Sequence, residues 1–182
     1  MVDSGENPIP NVGKMVKLRT ADGEIFEVEE AVAMELETVK SFFDDDGVSY
    51  DTVVPLLNVT SPTFAKVIEY CRRAVEFSAK LASAGNDDKG AKEKVKEERK
   101  AFEAEFVNNE SNEAVKGLVL AANYLNIKDM LSFLNQAVAD RIKNKSVEYV
   151  RRFFGIENDF LPEEDQQNRQ DNAWAFEDVD AD

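Results

Sequence analysis

The chain has 182 residues, 43% of them hydrophobic and 9% aromatic, which is enough for one buried core with an appended helical part and is not the composition of a wholly disordered chain. Its formal net charge of −15 argues against nucleic acid as a partner and leaves two readings, a solubilising surface or an attraction to basic proteins. With no His and the single Cys71, it cannot form an internal disulfide, a Ser-His-Asp triad, a Cys-His pair or an ordinary zinc site, and it suits a reduced, intracellular setting.

Residues 1–14 are polar and carry Pro and Gly, so they read as a flexible leader; acid and proline stand where a secretory signal needs positive charge and an apolar run. No stretch approaches the roughly 18 apolar residues of a membrane span. Asn58, Asn109 and Asn144 each open an Asn-x-Ser/Thr triplet, read as chance in the absence of such a signal.

From Met15 the pattern alternates. Val16 and Leu18, then Phe26 and Val28, form one apolar face of a hairpin whose turn contains Asp22 and Gly23. A two-residue loop would set Leu18 against Glu27. A three-residue loop with Gly23 in the left-handed region sets Leu18 against Phe26 and Val16 against Val28, and is the register expected. Val32, Leu36, Val39 and Phe43 then follow at helical spacing, in one helix or two short ones, ended by the acidic run Asp44, Asp45, Asp46 and Gly47. That run lacks the alternation and the closing Glu of a calcium loop and reads as a charged turn. Residues 53–57 make a short strand whose Pro55 suggests an edge. Ser61 before Pro62 is a helix start, followed by the stripe Phe64, Val67, Ile68, Cys71 and Val75. On that stripe Cys71 reads as a small buried hydrophobe.

Apolar content collapses over 78–100, read as a charged, solvated linker that is helical at most near its end. Order resumes at Phe102 and Phe106. Val115, Leu118, Val119, Ala122 and Leu125 form one helical stripe and Leu131, Leu134, Val138 and Ile142 a second, joined by the short connection through Asn126 and Ile127. Ser146 caps a third helix, ended by Gly155. Pro162 opens a last segment, polar on every side until Trp174 and Phe176. A helix without an apolar face does not hold itself to a core, so a partner is expected to order it unless Trp174 folds back onto its own domain. No Walker-type or dinucleotide glycine pattern occurs, and binding is the default reading: no enzyme, no metal, no cofactor.

At this point a likeness becomes specific. The stretches VKLRTADGEIFEVEEAVA (16–33), PLLNVTSPTFAKVIEYC (55–71), AANYLNIKDML (121–131), QAVADRIKNKS (136–146) and FFGIENDFLPEED with NAWAFE (153–165 and 172–177) resemble, in order, the signature stretches of the S-phase kinase-associated (Skp) family, most closely the plant type. The resemblance implies an α/β (α+β) fold, a BTB/POZ-like domain with a C-terminal helical extension that wraps the F-box of a substrate receptor. It divides the chain into the leader 1–14, an N-terminal α/β part 15–77, the charged linker 78–100, the C-terminal helices of the BTB/POZ-like domain 101–143, the F-box-binding helices of the Skp dimerisation type 144–177, and an acidic tail 178–182.

It also implies a function: a non-catalytic adaptor joining F-box proteins to a cullin in an SCF-type ubiquitin ligase, in nucleus and cytoplasm, with no nucleic-acid or membrane partner and a weak homodimer when free. The alternatives are a scaffold holding F-box proteins outside ubiquitin ligases, or a divergent paralogue with restricted F-box binding. Asn123 and Tyr124 carry over to the cullin contact. Leu118, Val119, Leu125, Leu131, Val138, Ile142, Phe154, Ile156, Phe160 and Trp174 carry over to the F-box contact, although Leu118, Leu131 and Val138 read equally well as core. Three departures stand out: Lys116 and Gly117 replace a usual Phe-Glu pair, Phe102 a usual Trp, and Leu161 a usual capping Thr.

Overall fold

The computed structural model describes residues 14–46, 49, 51–84, 88–177 and 179. Residues 1–13 of the expected leader, Gly47 and all of the acidic tail but Val179 lie outside the described residues.

A small sheet carries the N-terminal half. Strands β1 (Met15–Thr20) and β2 (Ile25–Glu29) are antiparallel, and β3 (Val53–Leu56) adds to β1 in parallel, giving the order β2-β1-β3. Leu18 faces Phe26 and Val16 faces Val28, the register that puts these four apolar side chains on one face and leaves Met15 and Ile25 on the exposed one, and Gly23 takes a φ of +88° in the turn. Pro55 sits in the edge strand β3, where its missing N–H breaks no ladder.

Between β2 and β3 run two short helices, α1 (Glu30–Ala33) and α2 (Glu37–Asp46), which with the turn between them bury Val32, Leu36 and Val39 and half-bury Phe43. The acidic run 44–46 belongs to the last turn of α2, a correction to its reading as a turn. Helix α3 (Ser61–Ser83) lies against the sheet with Phe64, Val67, Ile68 and Cys71 buried and Phe26 edge-on to Phe64 at 5.0 Å.

The start of α3 is unusual. The Ser61 side chain caps nothing of its own helix. Its N–H donates to both carboxylate oxygens of Asp22, at 3.0 and 3.1 Å, and its hydroxyl donates to Asp22 Oδ2 at 2.6 Å. A hairpin-turn carboxylate thus serves the helix start from 39 residues away. Those bonds hold the Asp22 carboxyl down at about 2.

The segment 78–100 is not a linker. Helix α3 continues to Ser83, and α4 (Lys89–Asn108) starts soon after, with Asp88 Oδ1 accepting the Ala91 N–H at 2.9 Å. The two form a helical arm joined by local contacts, among them Phe77 against Phe102, Lys80 Nζ on Glu98 Oε2 at 2.6 Å, and the Arg73 guanidinium over both rings. The run is rich in Lys, Glu, Ala and Arg, strong helix formers that need little apolar surface, and that signal outweighs the lack of a stripe. At the base of the arm, Tyr70, Phe102, Phe106 and Phe133 make an aromatic cluster with centroids 5.2 to 6.2 Å apart. Arg99 bonds Tyr70, Glu103 and Asp129 there, tying α3, α4 and the start of the next layer together.

That layer is the antiparallel pair α5 (Asn112–Tyr124) and α6 (Lys128–Ile142), which closes the core with Val115, Leu118, Ala122, Leu125, Met130 and Leu134. Their connection turns at Asn126 (φ +55°), and the Ile127 N–H bonds the Ala122 carbonyl at 2.9 Å. Helices α7 (Val147–Phe154) and α8 (Pro162–Asp171) and one 3-10 turn (Ala173–Phe176) complete the described chain.

Candidate partner interface

The site is assembled from the C-terminal helices, and the bonds at their ends set it. Ser111 Oγ accepts the Ala114 N–H at 3.1 Å and starts α5. The Arg141 guanidinium donates to Asn112 Oδ1 and to the carbonyls of Val107 and Glu110, at 2.9, 2.6 and 2.9 Å, so the end of α6 is clamped across the α4–α5 junction. Ser146 Oγ accepts the Tyr149 N–H at 3.0 Å and starts α7. Gly155, at φ +70°, ends it, with the Ile156 N–H returning to the Arg151 carbonyl at 2.8 Å.

The geometry leaves apolar side chains outside. Leu120, Phe154, Ile156, Phe160, Leu161 and Trp174 are each between 44% and 75% exposed, all from α5 onward. A groove of about 460 Å³ lies between α5, α6 and the end of α7, lined by Val119, Leu120, Val138 and Phe154 with Lys116 and Asn135. Single exposed apolar residues are ordinary, but Leu120 and Phe154 meet at this groove with Val119 and Val138, and exposed apolar side chains set at a groove mark a surface suited to a partner.

Of the sequence-predicted F-box residues, Phe154, Ile156, Phe160 and Trp174 are exposed here, and Val119, Leu131, Val138 and Ile142 are half-buried. Leu118 and Leu125 are corrected: at 2% and 0% exposure they are core, packed with the sheet-side helices, and have no surface to offer. The reason is helical phase, since both lie on the same side of α5 as Val115 and Ala122, the side that closes the core. Leu120, 69% exposed, went unnoticed because it falls between stripe positions; an apolar residue off the stripe was the available signal.

For the cullin contact, Asn123 is exposed and Tyr124 half-buried at the end of α5. Thr38 pins that end: its Oγ1 donates to the Tyr124 carbonyl at 2.9 Å and its N–H to the Leu125 carbonyl at 3.3 Å. Asn123 stands about one turn beyond Leu120 on the outward face of α5, so the two predicted contacts adjoin on one helix.

Helix α8 buries no residue. Arg169 bonds Glu148 of α7 and Asp165 of its own helix, and Arg151 of α7 lies 3.9 Å from Asp165 and over the Phe160 ring. With Leu161 at its cap position, no hydroxyl caps α8; the Leu161 N–H bonds Glu164 instead, at 3.0 Å. Trp174 does not fold back and stays 75% exposed. Among the described residues no His, Cys, Asp and Glu cluster could hold a metal ion. Cys71 is buried, with its thiol pushed up to about 12, first by burial and then by Glu35.

Residues 14–76 match the Skp1 family tetramerisation domain and 128–175 the Skp1 family dimerisation domain. The chain is 48% identical over 164 residues to SKP1-like protein 1A of Arabidopsis thaliana, covering 90% of this chain and 98% of that one. It is 44% identical over 169 residues to SKP1-like protein 20 of Oryza sativa subsp. japonica, covering 90% and 95%.

Proposed function

Because the chain belongs to the Skp1 family, we propose that it is a non-catalytic adaptor of an SCF-type ubiquitin ligase, bridging a cullin to F-box substrate receptors for ubiquitination and proteasomal degradation. The cullin meets the α/β part and the Asn123 and Tyr124 end of α5; the F-box covers the apolar surface of α5 to α8 and the 3-10 turn. The adaptor accelerates by holding substrate and ubiquitin donor near each other, an effect of proximity. It works in nucleus and cytoplasm, and when free it pairs weakly with itself through the same surface.

The observation that carries this reading is the uncovered apolar surface at Leu120, Phe154, Ile156, Phe160, Leu161 and Trp174, next to a polar helix held by ion pairs. Such a helix presents itself to a partner without a core of its own to leave. The test is calorimetric or co-purification binding of the chain to a panel of F-box domains, followed by a cullin N-terminal fragment. Capture of an F-box and then of the cullin, the latter lost on charge reversal at Asn123 and Tyr124, is the expected outcome. F-box capture without cullin capture would leave a scaffold outside ubiquitin ligases, and capture of neither would overturn both.

A further inference from the structure

We infer that Lys116 makes the groove selective for an F-box helix that carries an acidic residue on its apolar face, opposite the ammonium. This rests on the adaptor reading and names the partner that the site prefers. Lys116 is the charged residue of a groove otherwise lined by Val119, Leu120, Asn135, Val138 and Phe154. Its side chain is already only 21% exposed, and its Nζ lies 5.9 Å from the centroid of the Phe153 ring. It bonds Glu113 Oε1 at 2.6 Å, but Glu113 is 80% exposed, on the rim and three residues earlier on the same helix. In a chain of net charge −15, a cation set into the apolar surface is out of keeping with everything around it.

The physics of covering the groove gives the selectivity. An apolar helix laid over Val119, Leu120 and Phe154 strips the remaining water from Lys116, and a buried charge without a full set of partners is penalised heavily. The pair with Glu113 compensates only in part, because its carboxylate end is 80% exposed and screened by solvent. A carboxylate on the incoming helix restores the partners just as water leaves; an aliphatic residue there does not, and a Lys or Arg adds repulsion. Discrimination therefore comes mainly from rejecting the wrong helix.

The test takes F-box domains that the full chain captures and changes each Asp or Glu on the contacting helix, one at a time, to its amide. Affinities are measured against the native chain, Lys116→Met and Glu113→Gln. Lys116→Met removes the charge and keeps an unbranched side chain, and far-UV melting checks that each variant folds. The inference expects one carboxylate whose neutralisation weakens binding to the native chain tenfold or more, leaves Lys116→Met within about twofold, and costs more still with Glu113→Gln. If F-box domains bind but no such carboxylate exists, or if its loss weakens Lys116→Met equally, the inference is overturned and the adaptor reading stands. If no F-box domain binds any version, both fall together.

Discussion

Asp22 and Gly117 are two residues whose role depends on a neighbour far away in sequence. Asp22 ionises at about 2 against an ordinary 3.8, first through the Ser61 hydroxyl bond, so it stabilises the folded chain fully above pH about 4 and loses that contribution as pH falls through about 2. Asp22→Asn should therefore lower the melting temperature by a few degrees at neutral pH and flatten the stability profile between pH about 4 and about 2, as read by calorimetry. An unchanged acid limb would mean that another carboxylate carries it. Gly117 lies inside α5, and a Cβ added there would meet Thr63 Oγ1 at 3.6 Å, an ordinary contact. Gly117→Ala should then gain about 0.5–1 kcal/mol in chemical denaturation, the helix-propensity difference with no steric offset. A loss would show that α5 needs the closer approach to α3.

Elements in this protein are held by two different means. Helices α3, α5 and α6 are fixed by burial of Phe64, Leu118 and Leu134, whereas α8 is held to α7 by Arg169, Glu148, Asp165 and Arg151 near solvent. Screening shortens the reach of exposed charges to about 3 Å at 1 M salt and leaves buried contacts alone. Hydrogen exchange should show α8 amides losing protection as salt is raised toward about 1 M, with those of α6 unchanged. The Asp165 carboxyl is held low, first by the Arg169 hydrogen bond, and that of Glu148 by a backbone bond and then Arg169, so the same loosening should follow acidification below the ordinary carboxylate range. Equal salt responses in α6 and α8 would contradict the distinction.

For the molecule as a whole, core and the proposed binding surface separate along helix faces, and mutations should sort accordingly. Leu118→Ala removes a fully packed side chain and should cost about 2–5 kcal/mol of stability. Trp174→Ala touches little within the chain and should change stability by less than about 0.5 kcal/mol while weakening F-box capture. Denaturation and binding measured on both variants decide it: a Trp174→Ala chain that unfolds early would mean that the 3-10 turn braces the fold. The arm of α3 and α4 belongs to neither class, since among its described residues Phe77 and Val95 are buried and much of the remainder is solvated charge.

The hairpin register, the edge position of Pro55, the short α5–α6 connection and the Ser146 and Gly155 boundaries of α7 were legible in the sequence, because each follows from periodicity or from a residue with a single favoured conformation. The family followed too, from ordered signature stretches. What only the tertiary structure decided were matters of phase and distance. Stripe residues on α5 and α6 look alike in a sequence, yet about a third to nearly half of a turn separates buried Leu118 and Leu125 from groove-lining Val119 and exposed Leu120. The helical arm made by the end of α3 and the start of α4 was hidden because helix propensity leaves no apolar stripe to read. The Asp22 to Ser61 bonds and the Arg141 clamp join residues far apart in the chain, and no local pattern announces which carboxylate or guanidinium will meet which helix end once the core has closed.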